Sequence, residues 1–246
     1  MFLSITVILC LILGSYAGDL PPNITKCKVD DNVCVAQKIE EVLRKYPHGN
    51  PDIGLPNMSA LPIKNVIISR ASGSSPIQMN LKFVQFVTDG LQNGQVLNTT
   101  GWTKNPKIFE GNFFYPKLVV KGDYESDGRI LFLSMNGRGK GLFELTNCHF
   151  NVKTKVVLEK RSNGKNYAKI TKLKLVLSPE KAYTNMDNLV NGSPELSKTI
   201  NDVINENWRD VWQEISNGLN AALGEVLENL LTGIFNELSY DDFYAE

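Results

Sequence analysis

The stretch SPELSKTINDVINENWRDVWQEISNGLNAALGEVLENLLTGIF, residues 193–235, constrains the fold more than any other part of the chain. Its spacing predicts one long α-helix. Ser193 is a good N-cap, Pro194 falls at the first helical position, where a missing N–H costs nothing, and Glu195 puts an acid beside the positive end of the dipole. Leu196, Ile200, Val203, Ile204, Val211, Ile215 and Leu219 recur at helical spacing and cover roughly half the circumference. From Leu223 the apolar arc widens. Leu223, Val226, Leu227, Leu230, Leu231, Ile234 and Phe235 sweep roughly 220°, leaving a polar strip of Glu225, Glu228, Asn229, Thr232 and Asn236. A flat sheet covers one face of a helix, whereas this helix needs a partner that curls around it. From Leu196 to Leu238 it would be about 65 Å long at about 1.5 Å per residue, so an elongated molecule is expected. It holds no uninterrupted apolar run of about 20 residues, which argues against a membrane span.

The partner is legible upstream. PIQMNLKF alternates Ile77, Met79, Leu81 and Phe83 with Gln78, Asn80 and Lys82, and NVKTKVVLEK places Val152, Val156 and Leu158 opposite Lys153, Lys155 and Glu159. Period-2 alternation of this kind marks half-buried strands. Asp89-Gly90, Asn93-Gly94, Asp127-Gly128, Asn136-Gly137 and Asn163-Gly164 are turn dipeptides, several of them spaced for hairpins. The expected order is a short N-terminal helix, a long antiparallel meander with one apolar face, and the long helix, with twisted strands wrapping it.

The N-terminus bears on compartment. MFLSITVILCLILGSYA ends on Ser15 and Ala17 at the small-residue positions of a signal-peptidase site, so residues 1–17 read as a signal peptide and 18–246 as a single domain. Four Asn-x-Ser/Thr sequons begin at Asn23, Asn57, Asn98 and Asn191, the positions at which a secreted chain would carry glycans. Cys27 and Cys34 are spaced for a disulfide in an oxidising compartment. A metal site is the alternative for such a pair, but no second ligand pair with suitable spacing follows. That leaves Cys148 unpaired, a buried small hydrophobe rather than a reactive thiol. Lys plus Arg and Asp plus Glu both number 26, so the basic footprint of a nucleic-acid binder is absent.

At this point the residues carry a resemblance. KCKVDDNVCV, GNPDIGLPNMSALPI, LVVKGDYESDGRILFLSMNGRGKG and NLVNGSPELSKTINDVINENW, in that order and spacing, resemble the insect takeout / haemolymph juvenile-hormone-binding protein family over essentially all of the chain after residue 17. The resemblance implies an α+β fold, a TULIP-like super-roll in which a strongly curved antiparallel sheet wraps a long C-terminal helix around an apolar tunnel. It also implies secretion, no catalysis, and a terpenoid or fatty-acid-like ligand. Two departures place the chain nearer the takeout branch: Ser134 stands where the family usually has Pro, and Cys148 alone cannot make the second disulfide of juvenile-hormone carriers.

A carrier needs an enclosed apolar volume and one or two polar anchors. The candidates for the lining are Phe83, Phe114, Leu118, Phe132, Phe143, Trp212, Ile215, Leu219 and Leu223, with Trp208 expected to pack on the sheet. No metal or cofactor is called for. Enzymatic readings do poorly: Cys148 and His149 point to opposite faces of a strand, and His48 sits in a Pro/Gly/Asn-rich loop. There is no Gly-x-Ser-x-Gly elbow, and GRGKG, residues 137–141, lacks the Lys-Ser/Thr and helix of a phosphate loop, so it reads as hairpin glycines. The acids of SYDDFYAE read as a solvated tail. The alternative to a carrier is an extracellular scaffold whose outer surface meets a protein partner.

Overall fold

The computed structural model describes residues 19–69, 77–130 and 133–245, so the leader reading on residues 1–17 and the candidate Phe132 lie outside it. Helix α1 (Asn32–Lys45) is capped by Asp31, whose carboxylate accepts from Cys34 N at 2.9 Å, and Arg44 and Lys45 face the negative end of its dipole. Cys27 and Cys34 form a disulfide with Cα atoms 5.8 Å apart, which joins the incoming chain to the first turn of α1. Among the described residues seven strands follow: β1 (Leu61–Ser69), β2 (Ile77–Asp89), β3 (Gln95–Thr100), β4 (Ile108–Ile130), β5 (Leu133–Met135), β6 (Arg138–Lys160) and β7 (Asn166–Met186). They make one antiparallel sheet in the order β1-β2-β4-β6-β7, with β3 and β5 pairing to the two ends of β4.

The long helix comes in two pieces, α2 (Pro194–Glu206) and α3 (Trp208–Glu237). Ser193 caps α2 as expected, but the helix is interrupted at Asn207. Its side-chain amide donates to the Val203 carbonyl at 2.9 Å, local back-bonding that competes with helix continuation, and its own carbonyl starts α3 by accepting from Val211 N at 3.1 Å. Helix α3 packs against both β7 and β1, the outermost strands, and so closes the curl of the sheet.

Asparagines join helix to sheet edge. Asn201 accepts from Met186 N at 2.9 Å and donates to Met186 O at 2.9 Å, and Asn205 does the same for Thr184 at 2.8 Å each. Residues i and i+4 of a helix and i and i+2 of a strand both repeat at a little over 6 Å, so one helical turn matches one strand repeat. The amides supply the hydrogen bonds that an eighth strand would otherwise make. Further along, Asn220 accepts from Leu177 N at 3.0 Å.

The inward face of the sheet is not one uninterrupted alternation. On β4 the inward residues are Phe109, Gly111, Phe113 and Tyr115, then Leu118 and Val120. The switch from odd to even falls at Pro116, which has no N–H to give a ladder. The same switch occurs on β6 between Leu145 and Phe150, where Asn147 has φ +49°, and on β7 between Leu177 and Ala182, beside Pro179. On β2 a bulge between Phe83 and Gln85 brings Phe83 and Phe86 to the same side.

Two expected turns and the tail need correction or comment. Asn163-Gly164 closes the β6–β7 hairpin, with Gly164 at φ +81°, but Asp127-Gly128 lies inside β4, because β2 and β5 both pair with it there. In GRGKG, a Cβ on Gly137 would fall 1.8 Å from the Asn188 carbonyl oxygen, so these glycines let the chain after β7 approach closely. The C-terminus is folded, not solvated. Tyr240 is 2% exposed, Asp242 is bonded by Ser239 at 2.6 Å and Lys165 at 2.9 Å, and Ala245 N donates to Cys27 O at 2.8 Å.

Candidate binding tunnel

A cavity of about 440 Å³ runs between α3 and the concave face of the sheet. Its lining follows α3 from Trp208 to Leu238, a span of about 45 Å at about 1.5 Å per residue, so it is a narrow bore rather than a chamber. The wide apolar arc of the helix is the reason for its shape. Side chains such as Val226, Leu227, Leu230 and Leu231 fan over more than one face, and the curled sheet meets them without filling the space between.

Of the candidate residues, Phe83, Leu118, Phe143, Trp212, Ile215, Leu219 and Leu223 line this bore. Phe114 does not. It lies on the outer face, its ring 5.2 Å from that of His149, because the face switch at Pro116 comes between it and Leu118; Phe113 and Tyr115 face inward instead. Trp208 also borders the bore, at the start of α3, with the Arg209 guanidinium 4.7 Å from its ring. Residues that strand alternation alone did not pick out include Phe150, Thr88 and Thr184.

Both ends are aromatic. Near the α2–α3 junction the rings of Phe83 and Phe86 stack at 4.3 Å, with Phe143 at 5.3 Å from Phe83. At the other end Trp102 stacks on Phe109 at 4.2 Å, Phe235 sits 6.1 Å from Phe109, and Ile39, Val42 and Leu43 of α1 form part of the wall. Burial leaves its mark on the groups around the middle: it pushes the Tyr115 hydroxyl and the Cys148 thiol each up to about 12. Cys148 is fully buried under β4 and β7, while its neighbour His149 faces out toward Phe114. Among the described residues no three His, Cys, Asp or Glu side chains converge as a metal site, and no helix is long and apolar enough to cross a membrane.

A curled antiparallel sheet closed over an apolar bore by a long C-terminal helix is a container fold. The chain belongs to the haemolymph juvenile hormone binding protein family, whose model matches residues 5–245. Among solved structures it is similar to Takeout 1 of Epiphyas postvittana, with a TM-score of 0.76 and 24% identity over 90% of this chain and 99% of that one. Among curated proteins it is similar to the circadian clock-controlled protein daywake of Drosophila melanogaster, 22% identical over 92% of this chain and 88% of the relative. The daywake protein of Drosophila yakuba is 21% identical over 91% and 88%.

Proposed function

We propose that this protein is a secreted carrier that takes a small hydrophobic ligand, a terpenoid or a fatty-acid-like lipid, into the bore along α3. The observation that carries the reading is the continuous apolar lining from Trp208 to Leu238, within a family named for binding a hydrophobic hormone. Phe83, Leu118, Phe143, Trp212, Ile215, Leu219 and Leu223 are the contact residues on this reading. A ligand burying about 400 Å² of apolar surface gains roughly 10 kcal/mol at about 25 cal/mol per Å². Association and ordering costs then leave a dissociation constant between micromolar and nanomolar. Secretion is supported by the apolar stretch over residues 1–17 and by the Cys27–Cys34 disulfide, and Asn23, Asn98 and Asn191 are exposed sequon positions.

The test uses Ile215, which is only half-buried because it borders the bore. Ile215→Trp is expected to abolish uptake of a fluorescent fatty acid while lowering the melting temperature by no more than a few degrees. A filled core responds differently, since overpacking there costs about 1–3 kcal/mol. Stability that falls while uptake per folded molecule holds would place Ile215 in solid core and sink the tunnel.

A further inference from the structure

The outer face of the sheet sets charges of opposite sign against each other. Lys82 meets Glu125 at 3.2 Å, Lys117 meets Glu144 at 3.1 Å, Lys169 meets Glu159 at 2.7 Å, and Lys140 and Lys153 pair with Asp123 and Glu110. One place departs from this pattern. Lys155 of β6 stands directly opposite Lys172 of β7, and Lys153 directly opposite Lys174. Opposed residues of an antiparallel pair lie about 5 Å apart at Cα and residues i and i+2 about 7 Å, so four exposed lysines rise from a rectangle of about 5 by 7 Å. Like charges placed directly opposite destabilise a sheet.

Two ordinary reasons do not account for them. Lysine on an edge strand wards off pairing with another chain, which would explain Lys172 and Lys174 on the outermost strand β7, but β6 lies between β4 and β7 and has no edge to protect. Neutralisation by neighbours fails as well. On residues 108–114 of β4, 149–159 of β6 and 167–178 of β7 the acids are Glu110 and Glu159, each already paired, and among the described residues Lys155, Lys172 and Lys174 hold no ion pair. With Lys169, this stretch carries five lysines against two acids, on a chain whose net charge is zero. Glu246 is the one acid outside the described residues, and alone it cannot cancel that excess.

The surroundings of the lysines narrow the partner. The alternation that puts Val152 and Thr154 in the lining of the bore turns Lys153 and Lys155 away from it, so the partner is not the bore's ligand. The large hydrophobics exposed on the patch are Val157 and Val176, too short to reach the roughly 5–10 Å depth at which a membrane-bound face buries itself. A convex face also touches a planar bilayer only along a line. Bases of a nucleic acid stack on aromatic platforms, and among the described residues of the patch no Phe, Tyr or Trp is exposed. A flexible chain with fixed negative charges can follow the curve, and lysines, as point charges on long stems, suit sulfates at varied spacing.

We infer that the outer face of β6 and β7, at Lys153, Lys155, Lys172 and Lys174, is a docking surface for a sulfated polysaccharide. It takes from the carrier reading only that the chain is secreted, and it would hold the protein at an extracellular matrix without using the bore.

The test measures binding of heparin at about 0.15 M salt, where distant surface charges are screened. The wild type is expected to bind, with affinity that falls as salt rises. The triple variant Lys155→Ala, Lys172→Ala, Lys174→Ala should bind about tenfold to a hundredfold more weakly per folded molecule, and its melting temperature should hold or rise because like charges have been removed. A control triple, Lys82→Ala, Lys117→Ala, Lys140→Ala, removes as many positive charges from ion pairs elsewhere on the outer face and should stay within about twofold of the wild type. Equal losses in the two triples would show a response to net charge alone and overturn the docking surface. So would a wild type that does not bind heparin, that binds unsulfated hyaluronan as tightly, or that prefers phosphatidylserine vesicles or a single-stranded oligonucleotide. Uptake of a fluorescent fatty acid, read on the same proteins, should be unchanged in the patch triple; its absence from the wild type would sink the carrier reading and leave the heparin result to stand or fall by itself.

Discussion

Cys148 sits at the middle of the sheet between Tyr115 of β4 and Pro179 of β7, with none of its surface exposed. The thiolate is the reactive form of cysteine, and burial raises this thiol to about 12, so folding suppresses its chemistry twice over. In protein beginning at Gly18, iodoacetamide at pH 8 should leave the native chain unmodified and add one group after unfolding. Non-reducing peptide mapping of the same sample should find Cys27 joined to Cys34. Alkylation of the native chain at Cys148, or a disulfide involving it, would contradict the burial described. The Cys27–Cys34 pair has a different task. It closes a loop of eight residues, which stabilises by about 2–3 kcal/mol in the chain-entropy model, and it fastens α1 to the strand-like bridge that Cys27 makes with Tyr244.

At the level of elements, α3 and the half-buried strands were legible because each has a period that only one kind of structure satisfies. Val152 and Val156 face in and Lys153 faces out to pair with Glu110, as their alternation says. Phe114 faces out because the strand switches faces at Pro116, and such a switch shows in sequence only as a Pro or an Asn that could equally sit at a turn. Asp127-Gly128 failed for the converse reason: a turn dipeptide stays in a strand when neighbours pair with it on both sides. The asparagines of α2 were invisible as well, since a polar residue on an amphipathic helix looks solvated until the sheet edge beneath it is known. Their weight can be measured. Asn205→Leu keeps the volume but leaves the Thr184 N–H and carbonyl without partners, and should cost about 1–3 kcal/mol in urea unfolding. A change below about 0.5 kcal/mol would mean that water replaces the amide without penalty.

For the whole molecule, the buried acids set an alkaline limit. Cys148 moves from 9.0 to about 12, and Tyr115 and Tyr124 from 10.0 to about 12, the last through burial and then the nearby Asp187. Each is a weaker acid in the folded chain than in the unfolded one, so above about pH 9 the unfolded chain sheds protons that the native chain retains. By linkage the stabilisation is complete below pH 9 and drains away as the pH climbs toward 12. Melting temperature should therefore be flat from pH 7 to 8.5 and fall steadily beyond, with Cys148→Ala delaying the onset toward pH 10. A flat profile to pH 11 would contradict the burial of all three groups. The asparagine clamps on β7 also decide how copies of the chain meet. An outermost strand with free N–H and carbonyl groups is a template onto which a second molecule can zip. Here those groups are occupied at Thr184 and Met186 by side chains spaced one helical turn apart, and a side-chain amide, unlike another strand, offers no further row to extend. Helix α2 therefore leaves Thr184 and Met186 no free backbone groups on which another strand could pair, and this end of a long, curved sheet finishes in asparagine.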